Sequence, residues 1–276
     1  MPTVRVGDCD FNYEDDDFTH PWERADTIWL QHGFGRSGRF WYSWVPLLAG
    51  DYRVLRRDMR GHGRSCDPGP DYVFTLDVMI ADMIGFLDAL ELDAVHYVGE
   101  SISGLLGIVC ATRHPERFKS LTLCAAPSFM TPLGAPVDDD PMAVEGLDRA
   151  TAPAELGVGA WADGLMVPGK LSGDGGPSRR EWLIAEWDKT PRHVAKNLMA
   201  CVSGIDVGPL FAQVSVPTLV MAPTRSELQP LALQLHIQQA IPGARFAAID
   251  GPGHEVYLDR PEESTAALRR FLAEVW

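Results

Sequence analysis

Apolar positions along the chain alternate between two rhythms. Short runs rich in β-branched and aromatic residues give way to longer stretches in which apolar residues recur every three or four positions. This alternation predicts strand-helix-strand units around a mostly parallel sheet. Thr3–Gly7 and Asp10–Tyr13 are polar and alternating, as expected of an antiparallel hairpin at a sheet edge. Asp26–Gln31 and Tyr52–Arg57 read as inner strands, and between them Phe40–Ala49 has a helical pattern ended by Gly50. Thr75–Leu92 repeats Val78, Met79, Met83, Ile84, Leu87 and Leu90 at helical spacing and feeds a strand at Ala94–Val98. Ile102–Arg113 has no polar face, which predicts a helix buried against the sheet, and Phe118–Ala125 is the next strand.

From Pro127 to about Gly204 the chain turns rich in Pro, Gly and Asp. Helical patterns fall at Met142–Arg149, Glu155–Leu165, Arg179–Trp187 and His193–Val202, with no strand among them. The alternation then resumes with a strand at Pro217–Met221, a helix over Glu227–Ala240, a strand at Arg245–Ile249 and a helix over Glu262–Val275. Neither flank completes a sheet alone. The expected organisation is therefore one α/β domain, residues 1–128 and 205–276, carrying a helical cap insertion at 129–204.

Composition changes the picture mainly by exclusion. With 276 residues, 46% of them hydrophobic and 22% charged, the chain is neither disordered nor fibrous. The formal charge of −14 opposes nucleic acid and anionic membranes as partners, so a small-molecule substrate is expected and a homodimer stays open. The amino terminus lacks a basic-then-apolar leader and no apolar run of about 18 residues occurs, which fits a cytoplasmic protein. Cys9, Cys66, Cys110, Cys124 and Cys201 are odd in number and scattered; they read as reduced thiols, with no disulfide framework and no metal site. The acidic run Glu14–Asp17 reads as a solvated turn.

Three segments carry chemistry. Val98-Gly99-Glu100-Ser101-Ile102-Ser103-Gly104 lies between a strand and a helix, where a sharp turn with small neighbours would expose the Ser101 hydroxyl as a nucleophile. Gln31-His32-Gly33-Phe34-Gly35-Arg36 ends another strand and could aim a backbone N–H at an oxyanion; Phe34 and Ile102 are the expected donors. His32 reads as a shaper of this loop, and Arg57–Ser65, which holds His62, as a turn closed on itself. Asp250-Gly251-Pro252-Gly253-His254-Glu255 follows the last strand and makes His254 the general base.

These segments, together with Ala111–Leu123 and the strand Val216–Met221, resemble in content and order the α/β-hydrolase fold family. The resemblance implies an eight-stranded, mostly parallel sheet flanked by helices, a helical cap, and a serine hydrolase that needs no cofactor. Its chemistry would be cleavage of an ester or lactone through an acyl-enzyme on Ser101. Carbon-carbon hydrolysis of a vinylogous diketone, and a ligand-binding receptor with weakened catalysis, are the alternatives.

One position departs from the family pattern. The triad acid is expected four residues before Pro230, where Ser226 stands, with Glu227 one step later. Glu227 is the expected acid; Asp206, Asp250 and Glu255, or a Ser-His pair with no acid, remain as alternatives. Trp41, Trp161, Trp182, Trp187 and Tyr257 are expected to line an apolar substrate pocket, and Arg36 and Arg39 to meet a substrate carboxylate or solvent.

Overall fold

The computed structural model describes residues 2–22, 24–171 and 175–275. Eight strands form one sheet: β1 (Thr3–Val6), β2 (Cys9–Asp16), β3 (Thr27–Gln31), β4 (Arg53–Arg57), β5 (Val95–Glu100), β6 (Phe118–Cys124), β7 (Thr218–Pro223) and β8 (Arg245–Ile249). Their spatial order is β1-β2-β4-β3-β5-β6-β7-β8. β1 and β2 form the antiparallel edge, and every pairing from β4 across to β8 is parallel. The central strands are buried along their whole length, which is why they read as continuous apolar runs.

Among the described residues, ten α-helices follow in chain order: α1 (Val45–Leu48), α2 (Leu76–Ala89), α3 (Ile102–Arg113), α4 (Thr151–Glu155), α5 (Val158–Leu165), α6 (Pro177–Trp187), α7 (Arg192–Val202), α8 (Leu231–Ala240), α9 (Val256–Asp259) and α10 (Pro261–Val275). α3 is buried from Ile102 through Ala111, as its lack of a polar face requires. Helices α4 to α7 lie between β6 and β7 in sequence. This segment touches the sheet side through Thr190, between α6 and α7, whose hydroxyl donates to the Gly35 carbonyl, and through Val194 of α7, whose methyls pack where a Cβ on Gly61 would stand.

Four local expectations are corrected. Met142–Arg149 is not helical: Glu145 and Gly146 both take positive φ, turning the chain so that Val144 faces Leu147. Asp140 holds this turn, accepting from the Met142 and Arg149 backbone N–H groups and pairing with the Arg149 guanidinium. The helix expected from Glu227 begins at Leu231 instead, after Pro230, with Ser226 Oγ accepting from Gln229 N–H in the preceding turn. The acidic run is strand rather than turn through Asp16, where Asp15 and Asp16 pair with Arg53 and Arg56 of β4, and only Asp17 lies beyond the strand.

The fourth correction concerns the cysteines. Cys9 and Cys66 are joined in a disulfide across a sequence separation of 57, with Cα atoms 5.5 Å apart. Sheet pairing brings β2 against the turn that follows β4, so no local spacing motif announces the bridge. Cys110, Cys124 and Cys201 are free thiols.

Candidate active site

The site forms where β3, β5 and β8 end. Ser101 separates β5 from α3 with φ 53° and ψ −124°, a conformation that L residues rarely adopt. The turn is tight. A Cβ on Gly99 would lie 2.4 Å from the Ser103 carbonyl oxygen, and one on Gly104 2.5 Å from Ala126 Cβ. Ser103, standing where the family pattern has glycine, fits because its hydroxyl donates to the His32 carbonyl and so ties the elbow to the neighbouring loop. Its own carbonyl accepts from the Tyr97 hydroxyl at 2.9 Å.

That loop carries Phe34. His32 is buried and shapes it, its Nε2 accepting from Met59 N–H at 2.9 Å while Nδ1 sits 2.8 Å from the Gly33 carbonyl. Burial holds the His32 imidazole well below its usual range, and its neighbour His62 is lowered to about 4 for the same reason. Ile102 opens α3, so its N–H is one of the four that a helix leaves unused. Among the described residues, neither Phe34 N–H nor Ile102 N–H donates to another backbone carbonyl outside the regular elements.

His254 is 3% exposed, and its backbone N–H donates to the Lys170 carbonyl at 2.7 Å. Its Nε2 lies 3.1 Å from Glu100 Oε1, within ion-pair reach though without hydrogen-bond alignment, and its Nδ1 is buried with no partner among the described residues. Glu100 is fully buried. Its Oε2 accepts from Gly33 N–H at 2.8 Å and lies 3.6 Å from Arg36 Nη1. Burial works to raise the Glu100 carboxyl, but Arg36, His254 and the Gly33 amide outweigh it and hold the group below its usual value. Arg36 also grips Glu255 at 2.7 Å and donates to the Phe34 carbonyl, with its guanidinium 4.2 Å from the centre of the Trp187 ring.

The expected acid is elsewhere. Glu227 is exposed, with its carboxylate against Gly169, and its backbone N–H donates to the Gly169 carbonyl. Gly169 N–H in turn donates to the Pro252 carbonyl, so the segment Gly169–Lys170 is bonded to both the Glu227 loop and the His254 loop. Asp206 caps its own turn at Gly208, and Asp250 is exposed and paired with Arg225. Glu255 is buried but turned to Arg36. Neither Arg36 nor Arg39 is a spare cation, because Arg39 pairs with Glu186.

Ser101, Ile102, Phe34 and His254 line one cavity of about 110 Å³, with Trp161, Trp187, Leu171, Met199 and Gln229. Of the five aromatic residues expected there, the structure brings in Trp161 and Trp187. Trp41 and Tyr257 pack on each other in the core at 4.3 Å, and Trp182 faces a separate surface groove beside Arg39 and Tyr42. Sequence reasoning missed Glu100. The available signal was a carboxylate ending a fully buried strand, where a buried charge must find a partner.

A profile of the α/β hydrolase fold matches residues 26–157. Among curated proteins, one from Pseudomonas syringae, provisionally named a carbamate hydrolase (RutD), is 28% identical over 92% of this chain and 97% of its own length. The Karrikin insensitive 2 receptor IA of Petunia hybrida is 26% identical over 90% of both chains. Among solved structures, the enol-lactonase of Burkholderia xenovorans superposes with a TM-score of 0.85 at 26% identity, covering 99% of this chain and 100% of that one.

Proposed function

This chain has the α/β-hydrolase fold, and on that premise we propose that it is a serine hydrolase cleaving a small carboxylic ester or lactone. The observation that carries the reading is Ser101 in strained φ/ψ on the same small cavity as His254, Phe34 and Ile102. Ser101 Oγ attacks the carbonyl carbon and its proton passes to His254, while the Phe34 and Ile102 N–H groups receive the developing oxyanion. The tetrahedral intermediate collapses, and the leaving oxygen takes the proton from His254. Water then attacks the acyl-enzyme, giving its proton to His254, and the acid departs as the proton returns to Ser101.

Phe34, Trp161, Trp187, Leu171 and Met199 favour an apolar or aromatic acyl group, and a cavity of about 110 Å³ favours a small one. Helices α4 to α7 act in this reading as the cap that closes the cavity. The likeness to an enol-lactonase supports including lactones. A fluorophosphonate is expected to label the wild-type protein at neutral pH and to leave Ser101→Ala unlabelled. Equal labelling of the two would remove Ser101 as nucleophile. Turnover of p-nitrophenyl esters and of lactones then tells which bond is preferred.

A further inference from the structure

The loop after β7, where the family pattern puts the acid, offers His254 no carboxylate: Ser226 occupies the place and Glu227 faces Gly169. We infer that Glu100, the residue immediately before the nucleophile, is the carboxylate that stabilises protonated His254 during turnover. This rests on the roles given above to Ser101 and His254.

Three observations carry it. Among the described residues, Glu100 is the carboxylate within ion-pair reach of His254, at 3.1 Å. Its other oxygen is held by Gly33 N–H and faces Arg36, which leaves Oε1 as an acceptor with no hydrogen-bond partner of its own. The loop is built around it, since a Cβ on Gly33 would stand 2.3 Å from Glu100 Oε2.

Charge balance points the same way. Arg36 is one buried cation against two buried carboxyls, Glu100 and Glu255. With both ionised the cluster carries one negative charge in excess, and a proton taken by His254 from Ser101 restores neutrality. Arg36, His254 and the Gly33 amide hold the Glu100 carboxyl below its usual value against burial, which keeps a negative charge beside His254. Glu100 takes no proton in the cycle; it is a positioning residue acting through His254.

The test compares wild type, Glu100→Gln, Glu100→Asp and Glu227→Gln by two readouts: the pH profile of fluorophosphonate labelling, and the titration of the His254 ring followed by ¹⁵N NMR. Glu100→Gln is expected to slow labelling by a factor on the order of 10³, as for the replacement of a triad acid. It should also move the labelling acid limb and the His254 midpoint to lower pH by about one unit or more, because the favourable anion is lost. Glu100→Asp, one methylene shorter, should fall between the two, and it carries the test if the Gln variant does not fold. Glu227→Gln should match wild type. Labelling by both Glu100 variants within twofold of wild type, with an unmoved His254 midpoint, would overturn the inference. If wild type resists the phosphonate while the His254 midpoint still falls in Glu100→Gln, the pairing is upheld and the nucleophile assignment is lost.

Discussion

Arg36 touches three loops that meet at the cavity: that of Phe34 through its carbonyl, that of Ser101 through Glu100, and that of His254 through Glu255. Replacing it with methionine would leave two buried carboxyls without their cation, at a cost of about 3–5 kcal/mol, measurable as a lowered urea midpoint. Ser101 bears the opposite relation to stability. Its positive φ costs on the order of 1–3 kcal/mol, so Ser101→Gly should raise the unfolding free energy by about 1 kcal/mol after glycine's extra unfolded-state freedom is subtracted, while abolishing labelling. That Ser101, Phe34, Ile102 and His254 meet at one cavity was legible because each sits in a short motif whose backbone geometry is local. Glu100 was not, because what gives it a role is 67 residues away at Gly33 and further still at His254.

Elements were legible where breaker residues bound them, as His114-Pro115 does α3 and as Pro242-Gly243 and Asp250-Gly251 do β8, and there the limits match the sequence reading. They were not where side chains competed with the backbone for hydrogen bonds, as Asp140 does across the stretch expected to be helical from Met142. The helices between β6 and β7 are pinned by Trp187, which is 1% exposed, stacks under Arg36 and meets Phe40 and Trp161 edge-on. Trp187→Ala should therefore destabilise by about 3–5 kcal/mol and loosen the cavity wall, seen as a lower thermal midpoint and slower labelling of Ser101.

At the scale of the whole molecule, the eight-stranded, mostly parallel sheet was implied by the family resemblance, whereas the strand order and the Cys9–Cys66 bridge needed the tertiary fold to be seen. Closing a loop of 57 residues is worth about 4 kcal/mol in the chain-entropy account, so a reductant should lower the melting temperature of the oxidised protein measurably. Acid should weaken the fold as well. His62 is held neutral to about 4 by burial, below the usual 6.5 of the unfolded chain, so its contribution is complete above pH 6.5 and is lost as pH falls toward 4. The loss is about 3 kcal/mol from this ring, and His62→Gln should flatten the dependence of urea stability on pH over that window. Gly169–Lys170, which belongs to neither catalytic loop, is bonded by its backbone to the Pro252–His254 turn. Any motion that lifts this stretch breaks both of these main-chain bonds, Gly169 N–H to Pro252 and His254 N–H to Lys170, so the helical segment and the His254 turn are mechanically coupled.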